Sequence, residues 1–219
     1  MKKALICFTR VPQPGRTKTR LLPILTGEQC ALLHTAFLQD LSAIDGAVEA
    51  DLYIAYTDDP SWEMLKGVFP EAKEFFPQEG ADLGEKMHNS LCHVLAQGYD
   101  AVILTGADLP LMTAAHLESG FAALADADVV LGPTSDGGYY LVGMKKPCRV
   151  VFENQQYGGT TVLDNTIAAA KAADLTVAFA KICDDVDTPE DLRNLVKVLS
   201  TESATCRYLM QLRREGVDL

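Results

Sequence analysis

The sequence has little that would tie it to a membrane, a nucleic acid or a metal–thiolate site. Nowhere in its 219 residues does an apolar run reach the length needed to cross a bilayer, and Ala4 to Phe8, after two lysines, is too short for the core of a secretory signal. A cytoplasmic location without membrane contact is expected. Positive charge is in the minority: 19 Lys and Arg against 30 Asp and Glu leave a net charge of −11, which opposes a nucleic-acid backbone as partner. The six cysteines, at 7, 30, 92, 148, 183 and 206, form no C-x-x-C, so neither a thiolate zinc site nor a small disulfide scaffold is indicated. Both common nucleotide signatures are also missing. Gly15 is followed by Lys18 and Thr19 without the second glycine of a P-loop, and no G-x-G-x-x-G follows the first strand. No repeat, low-complexity stretch or linker divides the chain, so residues 1–219 read as a single domain.

What is present begins with Ala101 to Pro110, AVILTGADLP. Four apolar residues without polar alternation predict a strand buried on both faces, as in the middle of a parallel sheet. Gly106 permits close backbone approach of a ligand, and Pro110 ends the strand, leaving Asp108 at its carboxyl end, where open α/β sheets bind ligands. An acid there either caps the next helix or holds a metal beside a phosphate; Thr113 already supplies a cap, which favours the metal.

An earlier strand, Ala4 to Phe8, runs into a loop that two prolines and a glycine keep irregular. Arg10, Arg16, Lys18 and Arg20, with Gly15 among them, concentrate positive charge that suits a triphosphate or pyrophosphate; the alternative is a solvated charged loop. Thr26-Gly-Glu-Gln29 predicts a capping box, and Cys30, Leu33, Phe37, Leu41 and Ile44 one apolar stripe packing on the sheet. Further elements are a strand at Asp51 to Tyr56, a short helix capped by Ser61, a strand at Lys73 to Phe76 and a helix opened by Asp82 and Glu85. Lys86, in that helix's first turn, opposes the helix dipole unless an anion is near, which points it at nucleotide phosphate or ribose. Between strands at Asp128 to Leu131 and Tyr139 to Met144, Asp136-Gly137 is either a hairpin turn or, with Gly138 and Tyr139, a loop offering backbone N–H groups to an oxygen-rich substrate. A helix at Thr160 to Ala173, a strand at Leu175 to Phe179, a helix capped by Thr188 with Pro189 first, and a helix at Ala204 to Arg214 complete the chain.

Together these motifs resemble the nucleotide-diphospho-sugar transferase superfamily. R-V-P-Q-P-G-R-T-K-T-R-L from Arg10, D-L-G from Asp82, G-A-D-L-P from Gly106, D-G-G-Y-Y-L from Asp136 and D-D-V-D-T-P-E-D-L from Asp184 are similar to its bacterial glycosyltransferase-like family, and more distantly to the 2-phospholactate and molybdopterin guanylyltransferases. The resemblance implies an α/β GT-A, Rossmann-like three-layer sandwich with a mostly parallel mixed sheet, the nucleotide in the first half and the acceptor in the second. It implies that Arg10, Lys18 and Arg20 hold donor phosphates, and that Asp82, Gly84 and Lys86 border the nucleoside. Asp108 would bind magnesium with Asp187, Asp184 and Asp185 being local alternatives to the latter, while Asp136, Gly137, Gly138 and Tyr139 would face the acceptor. Where the family often has a tryptophan, this chain has Tyr157-Gly-Gly-Thr.

The reaction expected is Mg2+-dependent transfer from a nucleotide donor. GT-A glycosyltransferases usually carry D-x-D after the central strand; here the first position is Gly106, which favours nucleotidyl transfer from a nucleoside triphosphate to a small phosphorylated acceptor. Glycosyl transfer from a nucleotide sugar and non-catalytic nucleotide binding are the alternatives.

Overall fold

A computed structural model describes the backbone of residues 1–219 and every side chain except that of Asp45. Its sheet has seven strands: β1 (Lys3–Thr9), β2 (Asp51–Tyr56), β3 (Glu74–Pro77), β4 (Ala101–Gly106), β5 (Val129–Pro133), β6 (Tyr139–Met144) and β7 (Val177–Phe179). Their spatial order is β3-β2-β1-β4-β6-β5-β7. Only β6 runs antiparallel to its neighbours, so the sheet is mostly parallel and mixed, as expected. Successive residues of the central strands bury on opposite faces: Leu5, Cys7 and Ile103 on one, Ala4, Ile6 and Val102 on the other. That double burial is why these strands carry continuous apolar runs.

Helices cover both faces. On one side lie α1 (Gly27–Asp45) and α4 (Ala114–Asp126), and on the other α3 (Leu83–Leu95) and α5 (Val162–Ala172). The capping box of α1 forms as predicted, with Thr26 Oγ1 accepting from Gln29 N at 3.2 Å. The single apolar stripe does not. Leu38 and Leu41 face the sheet, whereas Cys30, Leu33 and Phe37 join a separate core with Leu192, Leu195 and Leu209 of α6 (Pro189–Val198) and α7 (Ala204–Arg214). Helix α1 is thus buried on two sides. Asp40 fastens this layer by accepting from Ala204 N at 2.6 Å and Thr205 N at 3.0 Å, the first amides of α7. The short helix α2 (Met64–Val68) starts later than predicted: Ser61 gives its amide to Asp59 Oδ1 at 2.8 Å in a turn and caps nothing.

The chain leaves β1 towards β2 on one side and, later, returns to place β4 on the other, so the carboxyl ends of β1 and β4 flank a topological switch point. The segment after β7 reaches this point from the far edge. It crosses the carboxyl ends of β5 and β4 through Ala180 N to Leu131 O at 2.9 Å, Cys183 N to Pro133 O at 3.2 Å and Val186 N to Asp108 O at 2.9 Å. That path carries Asp187 to Asp108.

Candidate active site

A cleft of about 830 Å3 opens along the carboxyl edge of the sheet. At its centre, Lys18 Nζ lies 2.7 Å from Asp108 Oδ1, 3.1 Å from Asp187 Oδ1 and 2.6 Å from Val186 O. The lysine side chain is 2% exposed, its ammonium rests 5.0 Å from the Phe37 ring centroid, and its backbone takes a left-handed φ of 53°. The ammonium donates to Val186 O and Asp187 Oδ1 and forms an ion pair with Asp108. Lys18, expected against donor phosphate, here bridges two acids. Arg20 completes the group, its Nη1 3.2 Å from Asp187 Oδ2.

Asp108 has one sheltered and one open oxygen. Oδ1 is buried beside Lys18 and lies 3.3 Å from His34 Nδ1, yet the side chain as a whole is 39% exposed to the cleft. Burial alone would raise the Asp108 carboxyl; Lys18 and His34 outweigh it and hold the group well below the usual carboxylate range. His34 in turn sits 3.0 Å from Thr9 Oγ1 through its Nε2. Sequence reasoning missed His34. The signal was available, since His34 is the polar residue within the buried face Cys30, Leu33, Phe37, Leu38 and Leu41 of α1.

Asp108 and Asp187 fit a magnesium site of the sparse kind. Among the described residues no three metal-binding side chains cluster, but magnesium commonly takes one or two carboxylates and completes its shell with phosphate and water. Both acids keep contact with the cleft, at 39% and 31% exposure. Asp184 stands outside the cleft lining: its two oxygens accept from Ser135 N at 2.6 Å and Ser135 Oγ at 2.9 Å, pinning the β5–β6 turn. Asp185 lines the cleft, and desolvation by the cleft wall, reinforced by Asp187 and Asp136, pushes its carboxyl up to about 6.

Arg10 and Arg16, exposed, line the cleft at the end where donor phosphates are expected. Lys86 lines it too, and Asp82 caps α3 by accepting from Glu85 N at 2.8 Å. Gly15 and Gly84 stand outside the lining. Gly15 occupies an exposed turn; Gly84 makes room for the 152–157 segment, because a Cβ there would approach Phe152 O to 2.6 Å and Tyr157 Oη to 3.1 Å. At Gly106, by contrast, a Cβ would meet only Tyr140 O at 3.9 Å, so packing does not forbid the acid missing from D-x-D.

Where the acceptor is expected, residues 134–138 form the hairpin turn between β5 and β6. Gly137 N points to Thr134 O at 3.4 Å and Gly138 N to Asp136 Oδ1 at 3.1 Å, so neither amide is free for a substrate, contrary to one of the two readings of this loop. Gly137, at φ 89° and where a Cβ would come within 2.0 Å of Thr160 O, serves the turn. Asp136, Gly138 and Tyr139 do line the cleft, and the Tyr139 hydroxyl donates to that of Tyr157 at 3.4 Å.

Residues 40–159 match the family described as "Uncharacterized protein conserved in bacteria (DUF2064)". The chain belongs to this family. It is 31% identical to a protein of Desulfovibrio desulfuricans G20 described as a nucleotide-diphospho-sugar transferase, with a TM-score of 0.88 over 98% of this chain and 96% of that one. Membership of the superfamily that the motifs resemble is thereby shown. The DUF2064 chain is also 26% identical to the phosphoenolpyruvate guanylyltransferase of Sphaerobacter thermophilus, over 91% of this chain and 99% of the relative. To the 2-phospho-L-lactate guanylyltransferase of Methanocaldococcus jannaschii it is 26% identical, over 92% and 85%. Among the described residues, no helix is long and apolar enough to cross a membrane.

Proposed function

We propose that the protein is a nucleotidyltransferase that moves a nucleoside monophosphate from a nucleoside triphosphate to a small phosphorylated acceptor in the presence of magnesium. The observation that carries this reading is the convergence of Asp108 and Asp187 on one point between a cationic wall and an acidic one. The relatives named as guanylyltransferases support it. Asp108 and Asp187 would hold the ion, which supplies charge neutralisation to phosphate oxygens when bound. Arg10, Arg16 and Arg20 bind and orient the triphosphate and take up charge on the departing pyrophosphate. An acceptor phosphate oxygen attacks the α-phosphorus in line; being already ionised, it needs no general base from the protein.

The test is pyrophosphate release from a pool of phosphorylated metabolites, the four common nucleoside triphosphates and magnesium. Release is expected with wild type and with Asp184→Asn, and loss with Asp108→Asn and Asp187→Asn. Consumption of nucleotide sugars in place of triphosphates would make the protein a glycosyltransferase.

A further inference from the structure

The cleft is electrically divided. Its five lysines and arginines, Arg10, Arg16, Lys18, Arg20 and Lys86, all come from the chain before β4. From Leu104 onward the lining contributes Asp108, Asp136, Asp185 and Asp187 and, among the described residues, no lysine or arginine. One guanidinium lies behind this wall, that of Arg149, in a neighbouring cleft bordered by Tyr157. It is already matched by Glu85 at 3.2 Å and Glu153 at 2.9 Å. The acceptor side offers hydroxyl chemistry instead. Tyr139 and Tyr157 present a pair of phenol groups, and Asp136 uses only Oδ1 within its turn, leaving Oδ2 as an acceptor for a substrate hydroxyl.

We propose that the acceptor is a phosphate monoester of an uncharged, hydroxyl-rich body, such as a sugar or polyol phosphate, and not a phosphorylated carboxylic acid. This rests on the nucleotidyl-transfer reading. The reacting phosphate sits at the boundary, next to Asp108 and Arg20, and the rest of the acceptor extends along the acidic wall. A carboxylate there would face Asp136 and Asp185 with no countercharge, whereas hydroxyls donate to those carboxylates and accept from Tyr157, whose own proton is left free when Tyr139 donates to it. In the reaction an acceptor phosphate oxygen bonds to the α-phosphorus as the bond from that phosphorus to the bridging oxygen breaks. Pyrophosphate leaves with the electron pair, and the acceptor remains joined to the nucleotide through a pyrophosphate linkage.

A matched pair tests this, because glycerol 3-phosphate and 3-phosphoglycerate share a skeleton and differ by a hydroxymethyl against a carboxylate. The panel adds further sugar and polyol phosphates, phosphoenolpyruvate and 2-phospholactate, with nucleoside triphosphates, magnesium and pyrophosphate detection. Sugar or polyol phosphates are expected to exceed the carboxylates in kcat/KM by about tenfold or more. Asp136→Asn, whose amide oxygen can keep the turn bonds, should narrow that gap several-fold. Equal or better turnover of the carboxylates overturns the acceptor assignment and leaves nucleotidyl transfer standing. Turnover of neither class by a protein that triphosphates still stabilise also overturns it. Nucleotide-sugar consumption without use of triphosphates would instead defeat the underlying reading.

Discussion

The ammonium of Lys18 joins Asp108 at 2.7 Å to Asp187 at 3.1 Å, so a residue of the first loop holds an acid at the end of β4 against one on the segment beyond β7. The lysine is buried and adopts a left-handed backbone that non-glycine residues rarely hold without compensation. Its replacement by methionine would leave two carboxylates facing each other with only the exposed Arg20 guanidinium beside Asp187 and His34 beside Asp108. Lys18→Met is expected to lose about 3 kcal/mol, the low end for breaking a buried pair because both acids retain contact with water. In a chain of this size that is roughly 6 to 12 °C in melting temperature. Magnesium should recover more of the loss in Lys18→Met than it adds to wild type, since it replaces the missing charge. An unchanged melting temperature in calorimetry would remove the bridge from the account.

Arg10 and Arg16, both exposed, line the cleft where the triphosphate is proposed to bind. Arg16→Ala is expected to weaken a nucleoside triphosphate by about 1.5 kcal/mol or more, roughly tenfold in Kd, and the bare nucleoside hardly at all. Titration calorimetry with both ligands checks this. Equal losses would place Arg16 away from the phosphates.

Much of this architecture was legible from residue pattern because local and global preferences agree. Continuous apolar runs announced β1, β2 and β4; Thr26, Asp82 and Thr188 announced helix starts that form as read. What pattern could not supply was the partner of each buried or charged group. The stripe of α1 reads the same whether sheet or helix covers it, so the role of α6 and α7 was invisible. Lys18 and Arg16 look alike as cations in one loop, yet the first is consumed by Asp108, Asp187 and Val186 while the second stays open. Asp184 and Asp187 sit in one acidic run and are separated only by the turn at Ser135 that claims the former.

Asp40 offers a test of the C-terminal layer independent of the site. Its carboxylate caps α7 from a neighbouring helix, accepting from the amides of Ala204 and Thr205. Asp40→Ala is expected to cost about 1 kcal/mol, within the range for losing a helix cap, with nucleotide affinity unchanged. Urea unfolding measures the first and calorimetry the second. A large drop in nucleotide affinity would mean that the layer of α1, α6 and α7 controls the position of Asp187 more closely than its packing indicates.

His34 links the first strand to Asp108, the acid proposed to hold the metal. Its Nδ1 faces Asp108 Oδ1 at 3.3 Å and must carry a proton there, because a lone pair would oppose the carboxylate. Its Nε2 meets Thr9 Oγ1 at 3.0 Å, and that hydroxyl also lies 2.9 Å from Arg10 O. Either the hydroxyl donates to Nε2 of a neutral ring, or both ring nitrogens donate; in each case Asp108 is oriented from behind while its other oxygen stays open to the cleft. A group that orients a metal ligand changes metal affinity before it changes the fold of the site. His34→Leu is therefore expected to raise the magnesium concentration for half-maximal nucleotide stabilisation by about tenfold or more, with smaller change in triphosphate affinity at saturating magnesium. His34→Gln, which keeps an N–H donor, should recover part of that loss. The measurement is a magnesium titration of thermal stability at fixed triphosphate for all three proteins. If wild type and both variants share one magnesium midpoint, His34 is a satisfied core residue and Asp108 keeps its orientation from Lys18 alone.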